Sequence, residues 1–351
     1  MTPSRFSFGS DYSISRVIKG GWQISDGHSI GTRLEKHATV EDTLAFIRAG
    51  ITTLDFGDIY IGVEETVGAA LKKLENEMGS EARSQLQLHT KYVPDLHALS
   101  NHQYADVEKI VHRSRQRLGV ESLDLVQLHW WDYAERGYVD AMRGLARLQR
   151  EGFIRLLGVT NFDIQRMQEF VEAGVTPKTI QLQYSVLDRR PEHGMVEFCR
   201  SHGIDMLCYG TVAGGFLSGR YLGVPEPQPP FENRSLVKYK LMIDAFGGWE
   251  KFQELLRVLD RVAAKHHCDI SSVASAYILA RPQVAGVIVG ARNSSHIEEN
   301  TRVMQLELDE EDSASIETFL AENPGPTGDV YDLERNDPKH ANIMHKHNNA
   351  K

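Results

Sequence analysis

Four ionisable side chains stand where short apolar runs give way to polar segments. Asp55 follows 51–54, Tyr60 lies just beyond it, Lys91 follows 86–90, and His129 follows 123–128. Together they suit the movement of one proton. A free phenol has a pKa of about 10, too high for easy exchange at neutral pH. A nearby ammonium favours phenolate and lowers that value. A carboxylate behind the ammonium holds it charged and oriented. An imidazole can hydrogen-bond the reacting oxygen. In a water-poor pocket the set is a tuned general acid. No nucleophile sits beside a base, as acyl transfer would need. Each residue alone has a plainer explanation: a helix cap, a solvated strand end, a core histidine. Their joint occurrence at successive strand ends favours chemistry.

The elements that must position them alternate along the chain. Runs rich in Val, Ile and Leu occupy 51–56, 86–92, 123–130, 154–160, 179–184, 204–209 and 284–289, and an eighth strand is expected at 15–19. Between them lie stretches of helical periodicity, such as 105–118, where Val107, Ile110, Val111, Ser114 and Leu118 share a face. Several end at glycine, as at Gly119 and Gly203. Eight strand–helix cycles whose strands are apolar on both sides predict an α/β fold, a (β/α)8 TIM barrel, rather than an open doubly wound sheet. The expected organisation is one barrel domain, 1–322, with cofactor and catalytic sites at the C-terminal ends of the strands. A polar C-terminal tail, 323–351, follows. Residues 222–245, with Pro225, Pro227, Pro229 and Pro230, read as a long loop.

Composition narrows the function classes. The chain has 351 residues, a formal net charge of −9 and 3 cysteines. The acidic balance argues against nucleic acid as a partner. Three cysteines give no disulfide framework, and a reducing compartment is expected. No apolar run is long enough to span a membrane, and Met1-Thr2-Pro3-Ser4-Arg5-Phe6 lacks the apolar stretch of a secretory signal. The expectation is a cytoplasmic protein with no obligate protein partner. No two of the 29 glycines are two apart, so the dinucleotide fingerprint G-x-G-x-x-G cannot occur. His266-His267-Cys268 resembles a metal cluster, but adjacent helical residues point apart, so no metal site is expected. The terminal His340, His345 and His347 are assigned no function.

Four segments carry a family likeness: Leu54-Asp55-Phe56-Gly57-Asp58-Ile59-Tyr60 with Glu64 beyond, Thr90-Lys91, Leu123-Asp124-Leu125-Val126-Gln127-Leu128-His129, and Gly158-Val159-Thr160-Asn161-Phe162. With them the sequence resembles the aldo-keto reductases, NADPH-dependent enzymes on a (β/α)8 barrel, from about residue 17 to about residue 320. The resemblance implies that Tyr60 donates a proton to a carbonyl oxygen, that Lys91 and Asp55 tune it, and that His129 orients the carbonyl. It implies NADP(H) as cofactor, with Thr160, Asn161 and Gln183 on the carboxamide and Tyr209 stacked on the nicotinamide. Gly21 and Trp22 would lie beside the nicotinamide ribose. Gly210, Thr211, Leu217, Gly219 and Arg220 would cover the pyrophosphate. Gly290, Arg292, His296, Glu299 and Asn300 would take the 2′-phosphate and adenine, helped by a helix N-terminus capped by Asn293 or Ser294. Trp22, Tyr60, His129 and Trp130 would line an aromatic substrate pocket. Three positions depart from the pattern: Ile61 after the tyrosine, His296 near the adenine, and Thr211-Val212-Ala213 in the pyrophosphate loop. A second reading is a cofactor-sensing barrel of the auxiliary channel-subunit type, with little turnover.

Overall fold

The computed structural model describes residues 5–28 and 35–343. Eight parallel strands close into a barrel: β3 (Val17–Gly20), β4 (Thr53–Asp55), β5 (Gln87–Tyr92), β6 (Leu123–Leu128), β7 (Ile154–Thr160), β8 (Thr179–Gln183), β9 (Asp205–Tyr209) and β10 (Val284–Gly290), with β10 pairing back onto β3. This is the expected (β/α)8 barrel. The order follows from local connection: each helix returns the chain to the strand next in sequence, right-handedly, until the sheet closes. Outward-facing strand residues such as Leu88, Val126 and Val159 join the helices in one large core. Gly119 (φ 67°) and Gly203 (φ 65°) take the left-handed conformation where helices stop.

Two short strands precede the barrel. β1 (Arg5–Ser7) and β2 (Ser13–Ser15) form an antiparallel hairpin at the strand starts, where Ser15 N–H donates to Thr53 Oγ1 at 2.9 Å. Its Tyr12 and Ile14 pack with Ile18, Leu125, Leu207 and Ala285, a second apolar cluster. One end of the barrel is thus plugged, and the other is left for a cavity.

Two segments depart from the sequence expectation. Residues 222–245 are not loop throughout: Arg234–Phe246 is a helix, and the Asn233 side chain accepts from Leu236 N–H at 3.1 Å to cap it. All four prolines precede that cap and none breaks the helix. The segment expected as a tail packs against the barrel. Its described part carries the helices Asp332–Asn336 and Pro338–Asn342, and Glu334 is buried between Arg190 and Lys238. Burial works against the charge of Glu334, but the two cations outweigh it and hold the carboxyl below its ordinary range. His340 is buried here, whereas His345 and His347 lie outside the described residues. His266 donates to Asp312 Oδ2 at 2.6 Å, a structural pairing between two helices. Among the described residues no helix is long and apolar enough to cross a membrane.

Candidate active site

At the C-terminal ends of the strands a cavity of about 1000 Å³ opens. Asp55 ends β4 and Lys91 lies near the end of β5, and both line it. Lys91 Nζ donates to Asp55 Oδ1 at 2.6 Å and to the Phe56 carbonyl at 2.7 Å. Both side chains are almost wholly buried, so the pair acts in a medium where charges are weakly screened. The ammonium lies 5.2 Å from the centre of the Tyr60 ring, close enough to act on the phenol electrostatically. Burial works against the Lys91 ammonium, but Asp55 and Tyr60 outweigh it and hold its pKa above the ordinary value. The phenol differs from the sequence expectation. Burial pushes Tyr60 up, and Lys91 pulls it back only in part, so the net shift is upward.

His129 follows β6 and lines the same cavity. Its ring stands edge-on to Trp131 at 4.5 Å and to Tyr331 at 6.1 Å between centroids. Nδ1–H donates to the Thr160 carbonyl at 3.4 Å. Burial, seconded by the Arg335 guanidinium, lowers its pKa to about 3, so the imidazole is neutral at physiological pH. In this tautomer Nε2 is an acceptor. Trp22 completes the wall, its ring 5.2 Å from that of Tyr60.

The cavity runs on past this group. Thr160 and Asn161 line it from the end of β7, Tyr209 and Gly210 from the end of β9, and Gly21 from the end of β3. The Tyr209 hydroxyl donates to Asn161 Oδ1 at 2.8 Å. A Cβ on Gly210 (φ 83°) would fall 2.5 Å from the Tyr239 hydroxyl, so this turn admits no side chain. Gly219 and Arg220 line the cavity further along, and Gly290, Arg292, His296, Glu299 and Asn300 line its far end. There Asn293 Oδ1 accepts from Ser295 N–H at 3.1 Å, while Ser294 N–H is already taken by Asp42 at 2.9 Å.

Four residues expected in the site have side chains that point elsewhere. Gln183 donates to Asp188 at 2.7 Å and does not line the cavity; Gln181 does. The two glutamines share one face of β8, and only height along the barrel separates them. Trp130 is fully buried, with Nε1 on the Glu135 carbonyl at 2.8 Å; Trp131 faces the cavity instead. Thr211 pairs with Ser275 at 2.9 Å, and Leu217 belongs to the core. Neither side chain lines the cavity, although their neighbours Gly210 and Gly219 do.

Other lining residues were missed from sequence. Tyr331 enters from the C-terminal segment in a left-handed conformation (φ 63°). Lys238, on the helix Arg234–Phe246, sets its ammonium 4.9 Å from the Tyr209 ring centre. Arg234 donates to the Gly27 carbonyl at 3.1 Å and Ser235 pairs with His28 Nε2 at 3.0 Å, so this helix start meets the loop after β3. Burial, then Arg292 and Arg234, lower the His28 pKa to about 4, which marks a concentration of positive charge at this end. The Asn233 cap signal could have revealed the helix, but no sequence signal reveals which cavity its side chains enter.

Comparison with known proteins identifies the family. The family model for the aldo/keto reductase family matches residues 16–321. An NADH-specific methylglyoxal reductase of Escherichia coli is 27% identical over 315 residues, covering 87% of this chain and 94% of that protein. The Bacillus subtilis aldo-keto reductase YhdN is 28% identical over 316 residues, covering 87% and 90%. Among solved structures, the glycerol dehydrogenase AKR11B4 of Gluconobacter oxydans superposes with a TM-score of 0.75 at 25% identity, covering 92% of this chain and 97% of that one. A Klebsiella pneumoniae aldo/keto reductase solved with NADP and acetate shares the fold, with a TM-score of 0.69 at 20% identity over 93% and 98% of the two chains. The chain belongs to the aldo/keto reductase family.

Proposed function

We propose that this protein interconverts a carbonyl compound and its alcohol with NADP(H), Tyr60 serving as general acid and base. The observation that carries the reading is the buried Lys91–Asp55 pair with the Tyr60 ring beside it at the wall of the cavity. Bound reduced nicotinamide supplies the hydride. The remaining steps belong to the chain. Tyr60 hands its hydroxyl proton to the developing alkoxide. The Lys91 ammonium stabilises the phenolate left behind, and Asp55 keeps that ammonium in place. Burial holds the phenol protonated, as an acid awaiting an alkoxide requires. His129, held neutral by burial, stands in the same cavity wall and orients the substrate. Trp22, Trp131 and Tyr331 give the substrate an aromatic, water-poor wall.

The donor set fits a dinucleotide. Amide side chains stand near the catalytic group, glycines line the middle of the cavity, and Arg220, Arg234 and Arg292 lie toward the far end. That arginine group favours a phosphorylated ribose and hence NADP(H). The E. coli relative is named for NADH, so the preference in this chain rests on Arg292 and its neighbours.

Steady-state oxidation of NADPH and of NADH with a panel of aliphatic and aryl aldehydes, ketones and sugars tests the reading. Turnover favouring NADPH is expected. Tight cofactor binding with negligible turnover across the panel would replace this reading with the cofactor-sensing one.

A further inference from the structure

Asp55 divides its oxygens between two tasks. Oδ1 accepts from Lys91 at 2.6 Å. Oδ2 accepts from Nε2 of Gln127 at 2.8 Å and from Nε2 of Gln181 at 2.7 Å. Carboxylate oxygens only accept, so both glutamines must turn their NH2 groups toward Asp55. The second N–H of Gln181 goes to Gln127 Oε1 at 3.0 Å. Both amide hydrogens of Gln181 are then used, and Oε1 is what remains for the cavity it lines. On Asn161 the arrangement is reversed: Oδ1 is taken by Tyr209, which leaves Nδ2. One acceptor and one donor facing a single cavity are the complement of a primary carboxamide, which offers one C=O and one NH2.

Gln127 is fully buried and does not line the cavity, so it touches no ligand. A leucine there would fill a similar volume in the barrel interior. The glutamine both donates to Asp55 and accepts from Gln181, which a leucine cannot do. We propose that Gln127 is a positioning residue: with Asp55 it locks the Gln181 amide so that the nicotinamide carboxamide meets an acceptor. This inference rests on the functional reading above. It adds that one carboxylate couples carboxamide recognition to the proton relay.

The test compares binding of NADP+ with binding of its 3-acetylpyridine analogue, followed by quenching of protein fluorescence. The acetyl group keeps the C=O and lacks the N–H donors. Wild type is expected to favour the amide by about tenfold or more. In Gln127→Leu the preference is expected to fall below about threefold, because the Gln181 amide loses its brace. Gln127→Glu supplies a signature that packing alone would not give. At about pH 5.5 a protonated carboxyl, its pKa raised beside Asp55, still donates to Asp55 and accepts from Gln181, so the preference persists; at about pH 8.5 the ionised group repels Asp55 and the preference is lost. A folded Gln127→Leu protein with the wild-type preference overturns the proposal, as does a Gln127→Glu preference equal at both pH values. Should the leucine variant not fold, the glutamate series decides. A wild type that binds neither dinucleotide overturns the functional reading itself, which separates the two failures.

Discussion

Arg335 Nη1 donates to the Trp131 carbonyl at 2.8 Å, 204 residues away along the chain. Nη2 reaches the carbonyls of Trp130 at 3.0 Å and Asn161 at 3.2 Å. One guanidinium thereby ties the C-terminal segment to the ends of β6 and β7, and its Cζ lies 3.9 Å from the Tyr133 ring centre. Tyr331 is held in the cavity by this tie. Arg335→Ala should raise KM for bulky carbonyl substrates by about tenfold, the loss of one or two charge-assisted hydrogen bonds. NADPH affinity should change little. Initial-rate kinetics beside cofactor titration check this, and an unchanged KM would mean that the segment does not hold the substrate.

Tyr60→Phe removes the proton and keeps the ring. Turnover in reduction should fall by about 100-fold or more, with NADPH affinity retained. Comparable turnover in the two proteins would show that the proton comes from elsewhere.

Arg292→Ala should weaken NADPH by about 10- to 100-fold, since a charge-assisted contact to phosphate is lost. NADH binding should stay within about twofold. Titration with both dinucleotides reads the difference, and equal losses would remove Arg292 from phosphate recognition.

The adjoining tryptophans should separate by readout. Trp130→Ala opens the packed interior and should cost about 3–5 kcal/mol of stability. Trp131→Ala should instead raise KM for aryl aldehydes several-fold with a smaller loss of stability. Denaturant titration and initial rates on both variants decide, and the reverse pattern would mean that Trp130 faces the substrate.

Acid should weaken the fold through three buried histidines. Burial lowers His28 and His89 to about 4 and His129 to about 3. Unfolded, each titrates near its ordinary value of about 6.5. Between these values the unfolded chain binds more protons, so stability falls as pH drops from about 6.5 toward 3–4 and is fully present above that window. His89, beneath the relay with Nε2 3.0 Å from the Tyr12 hydroxyl, should account for on the order of 3 kcal/mol of this loss. Urea unfolding at pH 7 and pH 4.5 should show a smaller pH difference for His89→Gln than for wild type. An identical difference would show that His89 is not buried neutral.

The sequence by itself determined the barrel and the strand-end positions of the residues proposed to act on the substrate. Strand and helix periodicities are local properties, and the runs at 154–160 and 179–184 fold within a residue of where they were read. Because chemistry in this architecture sits where strands end, Asp55, Lys91 and His129 were legible from position along the chain alone. Tertiary structure decided what local pattern cannot express. Gln181 and Gln183 share a strand face, and only their height relative to Asp55 brings one to the cavity. Trp130 and Trp131 follow a strand end, and the packing around Tyr138 chose which one to bury. Tyr331 and Lys238 arrive from segments whose polar composition resembles that of a tail and a loop, and Glu334, which pairs with both Lys238 and Arg190, meets them only after the chain has closed. A period of two or 3.6 residues fixes which side of an element is apolar. The depth of a side chain, and its partner from a distant segment, are set by the closed barrel.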